Sequence, residues 1–95
     1  MRRSMIFAMT AALAVDWARY GITVNAVAPG VTDTPMSATS LADPAKRAEL
    51  MGGIPMDRPA QPAEIASAVA FLASPAASYI TGVYLPVDGG WMARG

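Results

Sequence analysis

Pro29 and Gly30 stand directly after an apolar, β-branched run, Ile22-Thr23-Val24-Asn25-Ala26-Val27-Ala28, and Thr32 and Thr34 follow at alternate positions. If that run is a buried strand, its carboxyl end is where open α/β sheets bind ligands. Gly30 would admit close backbone approach. The Thr32 and Thr34 hydroxyls and the amides beside them could hold a flat polar group such as a carboxamide. The same residues also read as a plain strand-to-loop turn, because Pro-Gly is a common turn dipeptide. Asp88, ahead of Gly89-Gly90, is a candidate general base. Its local reading is stronger, since a carboxylate before a glycine pair accepts backbone hydrogen bonds in a turn. Tyr20, Tyr79 and Tyr84 read as packing residues with satisfied hydroxyls. Asp16 reads as a solvated helix charge and Glu64 as a first-turn charge.

The missing residue types narrow the chemistry further. There is no cysteine and no histidine. Disulfides, thiolate metal sites, the commonest nucleophile–base pairs and most zinc sites are thereby excluded, and no metal is expected. Seven basic and seven acidic residues cancel, and no basic stripe offers itself to nucleic acid. The 95 residues are 54% hydrophobic and only 15% charged, which argues against disorder. A chain of this size buries somewhat over ~60% of its unfolded surface, so its core is marginal. Such a composition predicts apolar surface that something else covers.

The elements that must position these residues follow from pattern. Ser4 can cap a helix over Met5–Tyr20, with Gly21 as its stop. Met5 to Val15 is apolar nearly all round, so this helix asks for partners on more than one side. Met1-Arg2-Arg3, the apolar run and Ala12-Leu13-Ala14 also resemble a short signal peptide. The helical pattern continues past Ala14, through Asp16 and Trp17, which favours the helix. Ile22–Ala28 reads as a buried parallel strand. Asp43-Pro44 opens a helix that Gly52-Gly53 ends. Pro62-Ala63-Glu64 opens another, to Ala73, with Ile65, Val69 and Leu72 on a core face. Val83–Val87 is a second strand, placed at a sheet edge by Pro86. Strand, helix, strand in this order predicts parallel neighbours joined by a crossover.

Taken together, Leu13-Ala14-Val15-Asp16-Trp17-Ala18, Gly21 to Gly30, Thr34, Arg58 to Ala73, Ile80-Thr81-Gly82 and Val87-Asp88-Gly89-Gly90 resemble the C-terminal part of the short-chain dehydrogenases/reductases. The resemblance covers essentially the whole chain. It implies an α/β fold: the C-terminal fragment of a doubly wound, Rossmann-like parallel sheet, with two strands and about three helices over residues 1–95. It implies reversible hydride transfer between NAD or NADP and a small alcohol or carbonyl substrate. Pro29 and Gly30 would face the nicotinamide, and Thr32 and Thr34 would contact its carboxamide and nearby phosphate. Residues 35–59 resemble the substrate lid. Met36, Met51 and Met56 would suit a pliable pocket there, or ordinary core filling.

The departures matter as much. No glycine-rich phosphate loop stands between a strand and a helix; Gly52-Gly53 and Gly89-Gly90 do not substitute. Counting back from Thr10 by the family's spacing puts its catalytic Lys at Arg3, and the catalytic Tyr has no counterpart. Arginine does not replace that lysine, a compact ammonium that lowers the Tyr pKa. No residue of the chain is therefore expected to be catalytic, and these residues are expected to be inactive alone. The expected setting is cytoplasmic, without membrane or nucleic-acid partners, as a homo-oligomer through helix 5–20. Two alternatives stay open: a non-catalytic interaction fragment, or a small exported protein with signal-like residues 1–14.

Overall fold

The computed structural model describes residues 4–94. The expected Lys position, Arg3, lies outside the described residues. Helix α1 spans Ser4–Trp17, continues as a 3-10 turn over Ala18–Tyr20, and stops at Gly21, whose φ of 74° belongs to the left-handed region glycine favours. The stop is where the sequence puts it. The start is not: Ser4 is already helical, so it is not a flanking cap.

Strand β1 is Ala26–Pro29 and strand β2 is Tyr84–Val87. They pair in parallel, Ala26 opposite Tyr84 and Pro29 opposite Val87. Both are shorter than the sequence suggests, for a physical reason. The backbone ladder ends where side chains take its hydrogen bonds. Val24 N–H donates to the Thr81 hydroxyl (3.0 Å) and Val83 N–H to Asn25 Oδ1 (3.0 Å), while Asn25 Nδ2 donates to the Ile80 carbonyl (3.2 Å). Ala26 N–H and Gly30 N–H donate to the Val83 and Val87 carbonyls at 2.9 and 3.0 Å. Those β2 residues face β1, so Pro86 turns its missing donor to the outer edge, as expected of an edge strand.

Between the strands come α2 (Ala38–Ala42), α3 (Pro44–Met51) and α4 (Pro62–Leu72). The short helix α2 carries no sequence signal of its own and was not expected. Asp43 caps α3, accepting from Ala45 and Lys46 N–H, with Pro44 in the first turn. At α4 the Gln61 side chain accepts from the Glu64 backbone while the Glu64 carboxylate accepts from Gln61 N–H, a reciprocal cap. A 3-10 turn follows at Pro75–Ala77, and another at Met92–Arg94 ends the described chain.

Helices α1 and α4 both pack on the strands, while α2 and α3 pack chiefly on each other. Phe7 meets the Tyr84 ring edge-on, centroids 6.0 Å apart, fixing α1 against β2. Among the described residues the core is small, Ala14, Met51, Ile54 and Ala77, with no large side chain fully buried. Val69, expected on the core face of α4, is 51% exposed, whereas Ile65 and Leu72 are half-buried. The sheet under α4 is only two strands wide, too narrow to cover that helix. The same shortage leaves Met5 and Val15 of α1 at 78% and 77% exposure, beside an exposed Ile6 and Met9. Among the described residues, no helix is long and apolar enough to cross a membrane.

Candidate functional site: a cleft at the carboxyl ends of the strands

A cleft of about 450 Å³ opens where β1 and β2 end. Ala28, Pro29, Gly30 and Val31 line one side, Leu50 approaches from α3 and Ile54 from the turn after it, and Tyr84, Asp88, Trp91 and Met92 complete it. A smaller recess of about 110 Å³ adjoins it, walled by Val31, Ile54, Met56, Arg58, Glu64 and Asp88 among others. The larger cleft occupies the position where parallel α/β sheets take ligands. Its walls are mostly apolar, which suits the flat face of an aromatic ring.

Gly30 is required here, though by a different neighbour from the one its sequence context suggests. A methyl group on Gly30 would stand 2.9 Å from Asp88 Cα and 3.0 Å from Asp88 Cβ. The close approach that glycine permits is to the end of β2. Asp88 itself is held as the turn chemistry implies: Oδ1 accepts from Gly90 N–H and Oδ2 from Met92 N–H, each at 3.0 Å. Both carboxylate oxygens orient backbone, which leaves Asp88 a structural anchor rather than a base.

Thr32 and Thr34 are brought to the same bend, but neither side chain lines the cleft. The Thr32 hydroxyl donates to the Gly30 carbonyl at 3.1 Å. Thr34 closes a small network with Ser37. Thr34 N–H donates to Ser37 Oγ at 2.9 Å, the two hydroxyl oxygens are 3.3 Å apart, and Ser37 Oγ donates to the Thr32 carbonyl at 2.7 Å. Ser37 escapes a reading by motif, because its role depends on a local turn formed three residues away. The segment is then tied back by a parallel bridge between Thr32 and Ala60. In it Asp33 N–H donates to the Ala60 carbonyl (2.8 Å) and Ala60 N–H to that of Val31 (2.9 Å). The N–H groups of Val31 and Thr32 find no acceptor among the described residues.

Glu64 is a first-turn charge of α4, as expected, and it is also paired. Arg58 grips its carboxylate with two parallel bonds, 2.8 and 2.9 Å, and Gln61 N–H adds a third at 2.9 Å. The Arg58 hydrogen bond first, and the Gln61 amide second, hold the Glu64 carboxyl at about 2, below its ordinary 4.5. The same contact raises Arg58. Of the three methionines expected in a pocket, Met51 is buried in the core, Met56 borders the smaller recess, and Met36 is 95% exposed. Tyr20 and Tyr79 are exposed rather than packed; only Tyr84 is half-buried. Trp91 and Met92 of the cleft lie beyond the glycine pair and belong to no motif that marks them in the sequence.

Comparison with known proteins places this geometry. A family model described as enoyl-(acyl carrier protein) reductase matches residues 2–92. The chain is 51% identical over 85 residues to a cis-4-hydroxycyclohexanecarboxylate dehydrogenase from Sinomonas cyclohexanicum, covering 90% of this chain and 33% of that one. Among solved structures, it superimposes on an Agrobacterium tumefaciens protein described as a 2-deoxy-d-gluconate 3-dehydrogenase, which carries bound NADP. The TM-score is 0.86 at 43% identity, over 94% of this chain and 36% of that one. A short chain dehydrogenase family protein from Francisella tularensis gives a TM-score of 0.79 at 37% identity, over 93% of this chain and 40% of that one. The chain spans about a third of the length of the relatives it matches. With the family model matched over residues 2–92 and the fold superimposing on these proteins over nearly the whole chain, the chain belongs to the short-chain dehydrogenase/reductase family.

Proposed function

We propose that these residues form the nicotinamide-facing wall and the substrate lid of an NAD(P)-dependent oxidoreductase that interconverts a small alcohol and its carbonyl compound. The observation that carries this reading is the apolar cleft at the carboxyl ends of β1 and β2, with Pro29, Gly30 and Val31 in its wall and Leu50 and Ile54 over it. The residues fit the group: the wall is mostly apolar, and the N–H groups of Val31 and Thr32, without an acceptor among the described residues, give an amide-binding edge beside it. When bound, the nicotinamide supplies or accepts the hydride. The chain's own part is to orient the ring on Pro29–Val31 and to exclude water beneath Leu50 and Ile54. Thr32 and Thr34 act through the bend they brace, Thr32 on the Gly30 carbonyl and Thr34 on Ser37.

These residues offer no acid/base of the family's kind, and Asp88 is spent on Gly90 and Met92. By themselves they should not turn over substrate. The setting we propose is cytoplasmic, and α1, with its exposed Met5, Ile6 and Met9, is the face through which copies associate. A purely interactive role for the fragment is favoured by that same exposed face. Titration with NAD and NADP followed at the Val31 and Thr32 amides tests the reading of the cleft, and saturating cofactor that leaves both unmoved would overturn it. Following reduced-cofactor absorbance with panels of ketones and alcohols tests the inactivity: no rate is expected from the chain alone, and a rate that co-purifies with it and survives removal of contaminants would contradict that expectation.

A further inference from the structure

Helices α2 and α3 pack chiefly on each other between two tied segments, with only Met51, at the end of α3, buried in the core. On the near side is the Thr34–Ser37 network, and on the far side the chain is fixed again from Pro55 onward. There Met56 N–H donates to the Gly89 carbonyl at 3.0 Å, and Pro55 lies against Gly90, where an added methyl would meet its ring at 3.1 Å. Gly52-Gly53 is the junction between these helices and the fixed frame, and Gly53 has a φ of 88°. One side chain bridges this junction to the cleft wall. The Arg94 guanidinium stacks over the Trp91 ring, 4.4 Å from its centroid, and its Nε donates to the Trp91 carbonyl at 3.1 Å. Its Nη1 end lies against Gly53, so closely that a methyl group there would overlap it.

We propose that Arg94 is a positioning residue: its guanidinium is the spacer between Gly53, at the base of the lid, and Trp91, in the wall of the cleft, so that the two move together. A planar cation is suited to this. It stacks on an aromatic face while its edge donors stay bonded, which an ammonium does not do. Gly53 suits this place twice over: its φ of 88° favours glycine, and the guanidinium stands where a side chain would project. The consequence is that displacement of α2–α3 is read at Trp91, in the wall of the cleft. This rests on the reading of the cleft given above, but the coupling itself needs no ligand.

The test uses the two tryptophans, Trp17 and Trp91, as reporters. The chain is labelled with 5-fluorotryptophan and followed by fluorine NMR. Arg94→Ala and Arg94→Lys should each move the Trp91 resonance and leave that of Trp17 in place. Gly53→Ala should move the Trp91 resonance in the native background and lose that effect in the Arg94→Ala background. A Gly53→Ala shift of the same size in both backgrounds, or none in either, would overturn the proposal. So would Arg94→Lys leaving Trp91 unmoved. Arg94 is exposed in a terminal turn, so its variants remain informative even if Gly53→Ala does not fold. Cofactor titration of the same samples separates the two ideas, because the coupling can hold in a chain that binds no nicotinamide.

Discussion

Replacing Gly30 by alanine should be among the most damaging single-methyl changes in this chain. The added carbon would lie 2.9 Å from Asp88 Cα, 3.0 Å from Asp88 Cβ and 3.5 Å from the Asp88 carbonyl oxygen. Two of the three atoms are backbone, and Asp88 cannot retreat freely. Its carboxylate is bonded to Gly90 and Met92 N–H, and the Gly30 amide is bonded to the Val87 carbonyl at 3.0 Å. Overpacking costs about 1–3 kcal/mol in general, and the immobile neighbour puts this case at about 2–3 kcal/mol. At roughly 4–8 °C per kcal/mol for a domain of this size, the midpoint should fall by roughly 10–20 °C. Gly52→Ala is the matched control: its nearest contacts would be the Ala48 and Glu49 carbonyl oxygens at 3.4 Å, with no positive φ to strain. It should stay within about 0.5 kcal/mol of the parent. Urea unfolding followed by circular dichroism, at one fixed protein concentration because association is linked to stability, gives both values. A Gly30→Ala loss no larger than that of Gly52→Ala would show that the strand ends are not in contact as described.

Three further outcomes follow from the geometry. Glu64 sits at about 2 when folded against 4.5 ordinarily, so its contribution is fully present above the unfolded value and is lost as pH falls from there through the folded one. Glu64→Gln should therefore be less stable than the parent at neutral pH, with the gap closing in acid; parallel pH curves would contradict this. Asp43→Ala removes the acceptor for Ala45 and Lys46 N–H. It should cost about 1 kcal/mol, seen as faster amide exchange in Pro44–Met51, and unchanged exchange there would argue against the cap. Met9→Asp on the exposed face of α1 should weaken self-association in a sedimentation dilution series, while an unchanged distribution would place the contact elsewhere.

Much of this is legible in the sequence. Gly21, Asp43-Pro44, Pro62 and Pro86 are local punctuation, and each acts through its own backbone, so pattern alone locates the helix ends and the edge strand. The strand limits were not legible, because Asn25 and Thr81 take ladder hydrogen bonds with side chains from residues far apart in sequence. The same distance hid the Arg94–Gly53 contact, the Thr32–Ala60 bridge and the place of Trp91 in the cleft. Thr32 and Thr34 were found by resemblance and stand at the expected bend, yet their hydroxyls turn inward to Gly30 and Ser37. Val69 fits a core period on α4, but periodicity cannot say whether anything stands opposite that face.

The central claim is that the bend after β1 presents its backbone to a nicotinamide ring. Titrating nitrogen-15-labelled chain with NADP, and in parallel with a dinucleotide that lacks nicotinamide, while recording backbone amide shifts tests it most directly. Shifts confined to Gly30, Val31 and Thr32, present with NADP and absent with the analogue, are predicted. Saturating NADP that leaves those three amides unmoved, or that moves residues remote from the cleft instead, would contradict it.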